Sequence, residues 1–187
     1  MAEFNPLTNQ FLIAMPALAD PNFARTVTLI CEHSPQGAMG IVINRLTDLN
    51  LADIYDQIDV DIAHARHGDA PVHMGGPVQN NRGFVLHEPL GNWESTLHIS
   101  DTLGVSTSRD ILQAIAEDRG PDRYFIAVGY AGWAPGQLER EIVENSWLSG
   151  PADRQIIFDM PADKRWFAAA QLMGVDVTTL SSDAGHS

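Results

Sequence analysis

The stretch YFIAVGYAGWAPGQLE, residues 124–139, constrains the fold more than any other part of the chain. Its first seven residues, 124–130, are strongly apolar and predict a buried strand. The glycines and proline of residues 132–136 predict a tight bend, after which a helix is expected over 137–147. The inward face of that helix would carry Leu138, Ile142 and, more weakly, Val143.

Upstream of this stretch, the sequence predicts a strand at residues 10–15 and a hairpin over 26–44. The hairpin strands are 26–33 and 40–44, and the turn at residues 34–37 between them predicts a loop longer than two residues. Period-two alternation along the first hairpin strand places four side chains on one face: Val27, Leu29, Cys31 and His33.

Most of the remaining chain divides into short elements. Helices are predicted over 48–58, 106–118 and 163–173, and strands over 72–78, 83–88, 97–99 and 155–158. Asp48 or Asn50 is positioned to cap the first of these helices, and Ser108 the second. Residues 59–71 predict a surface loop, and residues 80–82 a turn. The last helix would bury one stripe of side chains: Trp166, Phe167, Ala170 and Met173.

The predicted hairpins imply antiparallel pairing between neighbouring strands. About eight short strands interleave with three or four helices, which favours an α+β fold over a doubly wound parallel sheet. The 187 residues suit a single domain, 1–187, with an ordered core at about 8–176 and frayed residues at 181–187.

Charge and composition exclude several classes of function. The chain carries 24 Asp and Glu against 11 Lys and Arg, a net charge of −13. A field of that sign repels phosphate backbones, so direct nucleic-acid binding is disfavoured. A lone cysteine, Cys31, forms no intramolecular disulfide and is expected to be a small buried apolar residue. Neither a signal peptide nor an apolar run of about 20 residues is recognised, so no membrane association and a cytoplasmic location are expected.

Two glycine-rich segments are candidate ligand contacts. Gly75-Gly76-Pro77 is either a turn or a place where backbone approaches a ligand closely. The bend at 132–137 runs into a helix whose N-terminus could receive an anion. Glu139 and Glu141 in the first turns of that helix oppose a phosphate, which favours a neutral or cationic ligand. Trp133 at the bend is a core residue, or an interaction patch if it is exposed.

The histidines are candidate acid–base groups. His33 and His87 each end a predicted strand, but no G-x-S-x-G nucleophile motif accompanies them. His64-x-x-His67 with Asp61 does not match a recognised metal pattern, so neither a metal nor a cofactor is expected.

Many short segments, in one order along residues 8 to about 176, resemble the YqgE/AlgH family of bacterial proteins. The resemblance implies an α+β fold whose bent, bifurcated, mainly antiparallel sheet forms a pseudo-barrel flanked by three to four helices. It implies a cytosolic protein of no established activity, often labelled a transcriptional regulator. The matching segments are residues 11–16, Phe23, 31–33, 37–44, 75–78, 84–87, 129–133, 136–139, 145–148 and Phe158.

These observations favour a regulatory or interaction protein that binds a small molecule or a protein partner. One alternative is a hydrolase-like enzyme using His33, His87 and Glu139, and another is a transcriptional regulator that acts without direct DNA contact. The expected ligand or interaction site comprises His33, Asn44, Gly75, Gly76, His87, Trp133, Gly136, Gln137 and Glu139.

Overall fold

This computed structural model describes residues 6–15, 23–60 and 64–175. These residues contain ten strands and five helices. The strands are β1 (Gln10–Ala14), β2 (Val27–Ser34), β3 (Gly37–Val42), β4 (Leu46–Asn50), β5 (Pro71–Met74), β6 (Val78–Glu88), β7 (Thr96–His98), β8 (Gly104–Ser106), β9 (Arg123–Trp133) and β10 (Trp147–Pro151). The helices are α1 (Leu51–Gln57), α2 (Arg109–Ala116), α3 (Gln137–Val143), α4 (Arg154–Phe158) and α5 (Ala162–Leu172).

The strands form one sheet in the order β10-β1-β2-β3-β9-β6-β8-β7, with β4 and β5 on a side branch. All pairings are antiparallel except that of β5 with β9. The sheet curls into a half-barrel, and the predicted α+β class with a bent, bifurcated, mainly antiparallel sheet is confirmed. The described residues contain five helices rather than three or four, because 154–158 is helical.

The fork in the sheet lies on β9, and glycines occupy it. β9 pairs with β3 through residues 131–133 and with β5 through residues 126–128. Where β3 and β5 separate, the amide of Gly75 donates to Val128 O and its carbonyl accepts from the Val42 amide, each at 2.8 Å. A Cβ on Gly76 would overlap the backbone of Tyr130. The Gly75-Gly76 segment is therefore packed between strands.

Three apolar clusters hold the helices against the sheet. The largest packs α4 and α5 onto β1, β2, β3, β6 and β9, and includes Leu29, Leu86 and Trp166. The second packs α1 and α2 against the opposite face of β6 and β9. The third surrounds Trp133 and Trp147 and seats α3 through Leu138.

Several predicted boundaries were wrong. Residues 155–158 form a helix because Asp153 caps it, accepting from the Gln155 amide at 2.8 Å. The helix predicted over 137–147 ends at Val143, and residues 147–151 pair as β10 instead. Residues 80–82 do not separate two strands but belong to the continuous β6.

Details of packing also differ from the predictions. The hairpin of β2 and β3 has a two-residue loop, since Ser34 pairs with Gly37. Val143 is 80% exposed and Phe167 is 48% exposed, so neither faces the core. Asn50 rather than Asp48 caps α1, in a capping box with Asp53. The predicted frayed residues 181–187 lie outside the described part of the chain.

A β-bulge in β2 separates His33 from its predicted face. Ile30 pairs with Gly40 and Glu32 with Met39, so Cys31 is the extra residue. An extra residue reverses the alternation beyond it. Cys31 stays buried in the largest cluster, as expected, but His33 pairs with Ala38, which packs against the cluster that seats α3. The placement of His33 on one face with Val27, Leu29 and Cys31 was wrong.

Candidate functional site

His33 and Glu139 meet where the bulge turns β2 towards α3. Nε2 of His33 lies 2.7 Å from Oε1 of Glu139, and the His33 side chain is 1% exposed against 45% for Glu139. Nδ1 of His33 accepts from the Leu7 amide at 2.9 Å. Because that nitrogen is an acceptor, the ring proton sits on Nε2 and is donated to the carboxylate. Both ring nitrogens are engaged, so this histidine has no lone pair available to take a proton from a substrate.

Glu141, one turn behind the bend, is held by three side chains. Its Oε1 accepts from the indole nitrogens of Trp133 and Trp147, each at 3.0 Å. Its Oε2 accepts from Nε2 of Gln137 at 2.8 Å. Trp133 is 7% exposed and is a core residue rather than an exposed patch. The carboxylate ties β9, α3 and β10 together.

The bend before α3 is held by its own residues. Gly136 precedes the helix with a φ of 77°, a left-handed conformation that favours glycine. The side-chain oxygen of Gln137 accepts from the Ala134 amide at 2.9 Å. Glu139 in the first turn complements the helix dipole and opposes an anionic ligand at this end of α3.

Replacing Glu141 tests this arrangement. Glu141→Leu is expected to lower the free energy of unfolding by about 2 kcal/mol, because two buried indole N–H groups lose their acceptor. Glu141→Gln keeps one acceptor oxygen and is expected to lose less than half as much. Urea unfolding followed by tryptophan fluorescence measures both. Equal losses for the two variants would show that the carboxylate does not organise the indoles.

His87 lies in a separate buried network. Its Nδ1 donates to Pro89 O at 3.0 Å, so Nε2 accepts from the Ser106 hydroxyl at 2.7 Å. Ser106 also lies 2.8 Å from Oγ1 of Thr96. Burial lowers the pKa of His87. The pair resembles a nucleophile and its base, but His87 and Ser106 are both 0% exposed, so no substrate reaches either group.

The structure does not bring the three proposed hydrolase residues together. His33 pairs with Ala38, which pairs with Trp133 near the end of β9. His87 pairs with Tyr124, nine positions earlier on the same strand. At about 3.3 Å per residue, nine positions of strand correspond to roughly 30 Å. His33 and Glu139 are neighbours, and His87 is remote from both.

Asn44 has a structural contact. Its Oδ1 accepts from the Val27 amide and its Nδ2 donates to Arg25 O, each at 2.9 Å. The side chain thereby joins the end of β3 to the turn before β2. His67 also has a partner, Asp118, at 2.8 Å, while Asp61 lies outside the described residues. Within the described ranges, no group of three or more His, Cys, Asp or Glu is arranged to hold a metal ion.

A cleft opens at the tip of the hairpin of β2 and β3. We call it the hairpin cleft; it has a volume of about 600 Å³ and is open to solvent along one side. Its lining contains one charged residue, Glu32, and no basic residue. Met39 and Tyr130 line it and also pack against the largest apolar cluster. The complete lining is Glu32, Ser34, Gln36, Gly37, Ala38, Met39, Val78, Tyr130, Gly132 and Trp133.

Comparison with known proteins places the chain in a family. Residues 11–178 match the family model described as AlgH-like. The chain belongs to the AlgH-like family. A UPF0301 protein of Methylococcus capsulatus is 56% identical to this AlgH-like chain over 185 residues, covering 99% of this chain and 97% of the relative. A UPF0301 protein of Bordetella avium is 51% identical, covering 99% and 93%.

Solved structures share the fold of this AlgH-like chain. The solution structure of the AlgH protein from Pseudomonas aeruginosa superimposes with a TM-score of 0.81 at 48% identity, covering 97% of this chain and 96% of that one. The crystal structure of protein DIP2367 from Corynebacterium diphtheriae gives a TM-score of 0.71 at 22% identity, covering 92% and 90%, and supports the fold alone.

The sequence pattern does not single out several residues of this AlgH-like chain that the structure does. It places Ser106 at the start of a helix, so the pairing of Ser106 with His87 is not expected. It treats Glu141 as a charge on the helix dipole, although the spacing from Gln137 is the i, i+4 spacing of a side-chain pair. It counts Tyr130 only as part of an apolar strand.

In the described part of the chain, no helix is both long and apolar enough to cross a membrane.

Proposed function

We propose that this AlgH-like protein is a cytoplasmic interaction protein without catalytic activity, and that its hairpin cleft binds a basic segment of a protein partner. The observation that carries the proposal is the cleft itself, an open space of about 600 Å³ with aromatic and apolar walls and an exposed carboxylate at Glu32. An open cleft suits one or two side chains of a partner better than a small molecule, which proteins bury almost completely.

The chemistry of the cleft favours a basic and partly apolar segment. Val78 is 37% exposed, and Met39 is half-buried beside it, so the wall offers apolar contact. The Tyr130 hydroxyl has no hydrogen-bond partner within the described ranges and is available to a ligand. The net charge of −13 steers cations towards the molecule.

The proposal that the protein is not catalytic rests on the contacts of two buried histidines, His33 and His87. His33 is saturated by Leu7 and Glu139, and His87 is enclosed with Ser106. A regulatory role then acts through a protein partner and does not require DNA contact, which the acidic surface opposes.

Peptide display on the folded protein tests the proposal. Selected peptides are expected to contain Arg or Lys next to an apolar anchor, and to shift the backbone NMR signals of Gly37, Tyr130 and Gly132. Glu32→Lys is expected to weaken the best peptide about tenfold at low salt, with the effect shrinking as salt rises.

The matched control is Glu94→Lys, an identical charge change at an exposed residue outside the cleft. It is expected to change the affinity less than about twofold. Equal weakening by both variants would show that the loss of affinity comes from the change in net charge and not from the cleft. Peptides that carry no basic residue, or that shift signals away from the cleft, would refute the proposal.

A further inference from the structure

Arg165 is a buried arginine on the first turns of α5. It is 6% exposed, its Nε donates to Ile156 O at 2.9 Å, and its Nη1 donates to Ile43 O. Nη1 also lies 2.9 Å from Nε2 of His73. The guanidinium therefore joins α5 to α4, to the residue after β3 and to β5.

His73 is the neutral partner of this arginine. It is 3% exposed, and its Nδ1 donates to Ile126 O at 3.0 Å, so the Nε2 lone pair faces Arg165. Burial lowers the pKa of His73 to about 4, and the neighbouring guanidinium acts in the same direction. The ring stacks on Phe125 with centroids 3.9 Å apart. His73 thus supplies no negative charge to the guanidinium.

No aspartate or glutamate of the described residues forms an ion pair with Arg165. Burial lowers the pKa of Arg165 to about 10, which leaves it charged at neutral pH. A buried charge without a counter-ion is unfavourable, and proteins usually pair it. The arginine is therefore positioned to gain from an added anion.

The Nη2 group of Arg165 donates to no atom of the described residues. Within these ranges, only Thr28 Oγ1 and Trp93 Nε1 are side-chain atoms both sealed from solvent and unpartnered. Nη2 is consequently not sealed from solvent, and Arg165 lines two adjoining cavities.

These cavities have volumes of about 230 and 450 Å³ and share Pro71, His73, Phe158 and Arg165. We call them together the Arg165 cavity. The outer part is walled by Leu46 and Met160 and by the first turn of α5, which has no side-chain cap. Uncapped amide groups there favour an anion, although Asp163 in the same turn offsets part of the helix dipole.

We propose that the Arg165 cavity binds a small organic carboxylate, with the oxyanion on Nη2 of Arg165 and an apolar body against Phe158, Met160 and Leu46. Two exposed acids, Asp159 and Asp163, lie at the outer rim. They disfavour a dianion such as a phosphate more than a monoanion. The site is independent of the hairpin cleft, since the two share no lining residue.

NMR titration with sodium hexanoate tests the site, with 1-hexanol, sodium acetate and inorganic phosphate as comparison probes. Hexanoate is expected to shift the side-chain Nε–H signal of Arg165 and nearby amides, and to bind at least about tenfold more tightly than the other three. Hexanol binding as tightly as hexanoate would show that the charge is not recognised. Hexanoate shifts confined to other surfaces would refute the site.

Arg165→Met is expected to abolish hexanoate binding, and two rim variants keep the test valid if it does not fold. Leu46 is 59% exposed, and Leu46→Glu is expected to weaken hexanoate about tenfold by placing a carboxylate at the rim. Leu172→Glu, the same change at a 53% exposed position outside the cavity, is expected to have less than about a twofold effect. Asp163→Asn is expected to strengthen binding about threefold. Unchanged affinity in both rim variants would overturn the proposal.

Discussion

Gly76→Ala is expected to lower the free energy of unfolding by about 3–5 kcal/mol, since overpacking and backbone strain act together. A Cβ at this position would overlap the carbonyl carbon and oxygen of Tyr130 and the nitrogen of Ala131. All three are backbone atoms of the central strand, so no side-chain rotation relieves the overlap. Gly76 also has a φ of 156°, which side chains disfavour. Urea unfolding followed by circular dichroism measures the loss.

Two other glycines serve as controls that distinguish steric overlap from conformational strain. Gly83 lies on β6 and has open space where a Cβ would point, with no neighbouring atom within 4 Å, so Gly83→Ala is expected to change stability by less than about 1 kcal/mol. Gly136 also has open space for a Cβ but has a φ of 77°. Gly136→Ala is therefore expected to lower the free energy of unfolding by about 1 kcal/mol, through conformational strain alone. A Gly76→Ala loss no larger than that of Gly136→Ala would contradict the close packing at the fork.

Acidification from pH 6.5 to pH 4 is expected to remove about 3 kcal/mol of stability through His73 alone. Its pKa falls from 6.5 in the unfolded chain to about 4 in the folded one. Between these values the unfolded state binds the proton and the folded state does not, so stability falls as pH falls. The contribution becomes constant well above pH 6.5, where the ring is neutral in both states. His87, whose pKa is also lowered by burial, acts in the same direction.

His73→Gln isolates this contribution because glutamine keeps an acceptor for Arg165 but does not titrate. The variant is expected to be less stable than the parent at pH 7 and to lose less stability on acidification over the same range. His64→Gln, at an exposed histidine, is expected to retain the parent profile. Urea midpoints across this pH range supply the comparison. Parallel profiles for the parent and His73→Gln would mean that folding does not lower the pKa of His73.

The central strand and the hairpin before it could be predicted from the sequence, because each has a strong local signal. Residues 124–130 are apolar without interruption, and residues 34–37 contain the serine, proline and glycine that are typical of turns. Residues 155–158 could not be assigned in this way. A short apolar run fits a strand or a buried helix equally well, and the cap at Asp153 decides between them.

The sequence indicated part of the geometry of the candidate site, and the remaining contacts have no local signal. The sequence indicated that the 132–139 segment is unusual, and the structure places Trp133, Gln137 and Glu139 together around α3. The side to which His33 points depends on a bulge, which shifts the register by one residue without a composition signal. Arg165 and His73 are 92 positions apart in the chain, so their contact belongs to the tertiary structure alone.

The position of β9 in the sheet has a consequence for how the protein is made. This strand pairs with β3, β5 and β6, all of which precede it in the chain, and β1 gains its second neighbour only from β10. Translation proceeds at about 5–20 residues per second, so β1 leaves the ribosome on the order of ten seconds before β10 is complete. During that interval the hairpin of β2 and β3 exposes the edge that β9 will cover. The nascent chain must keep that edge from pairing with other chains until its central strand has been synthesised.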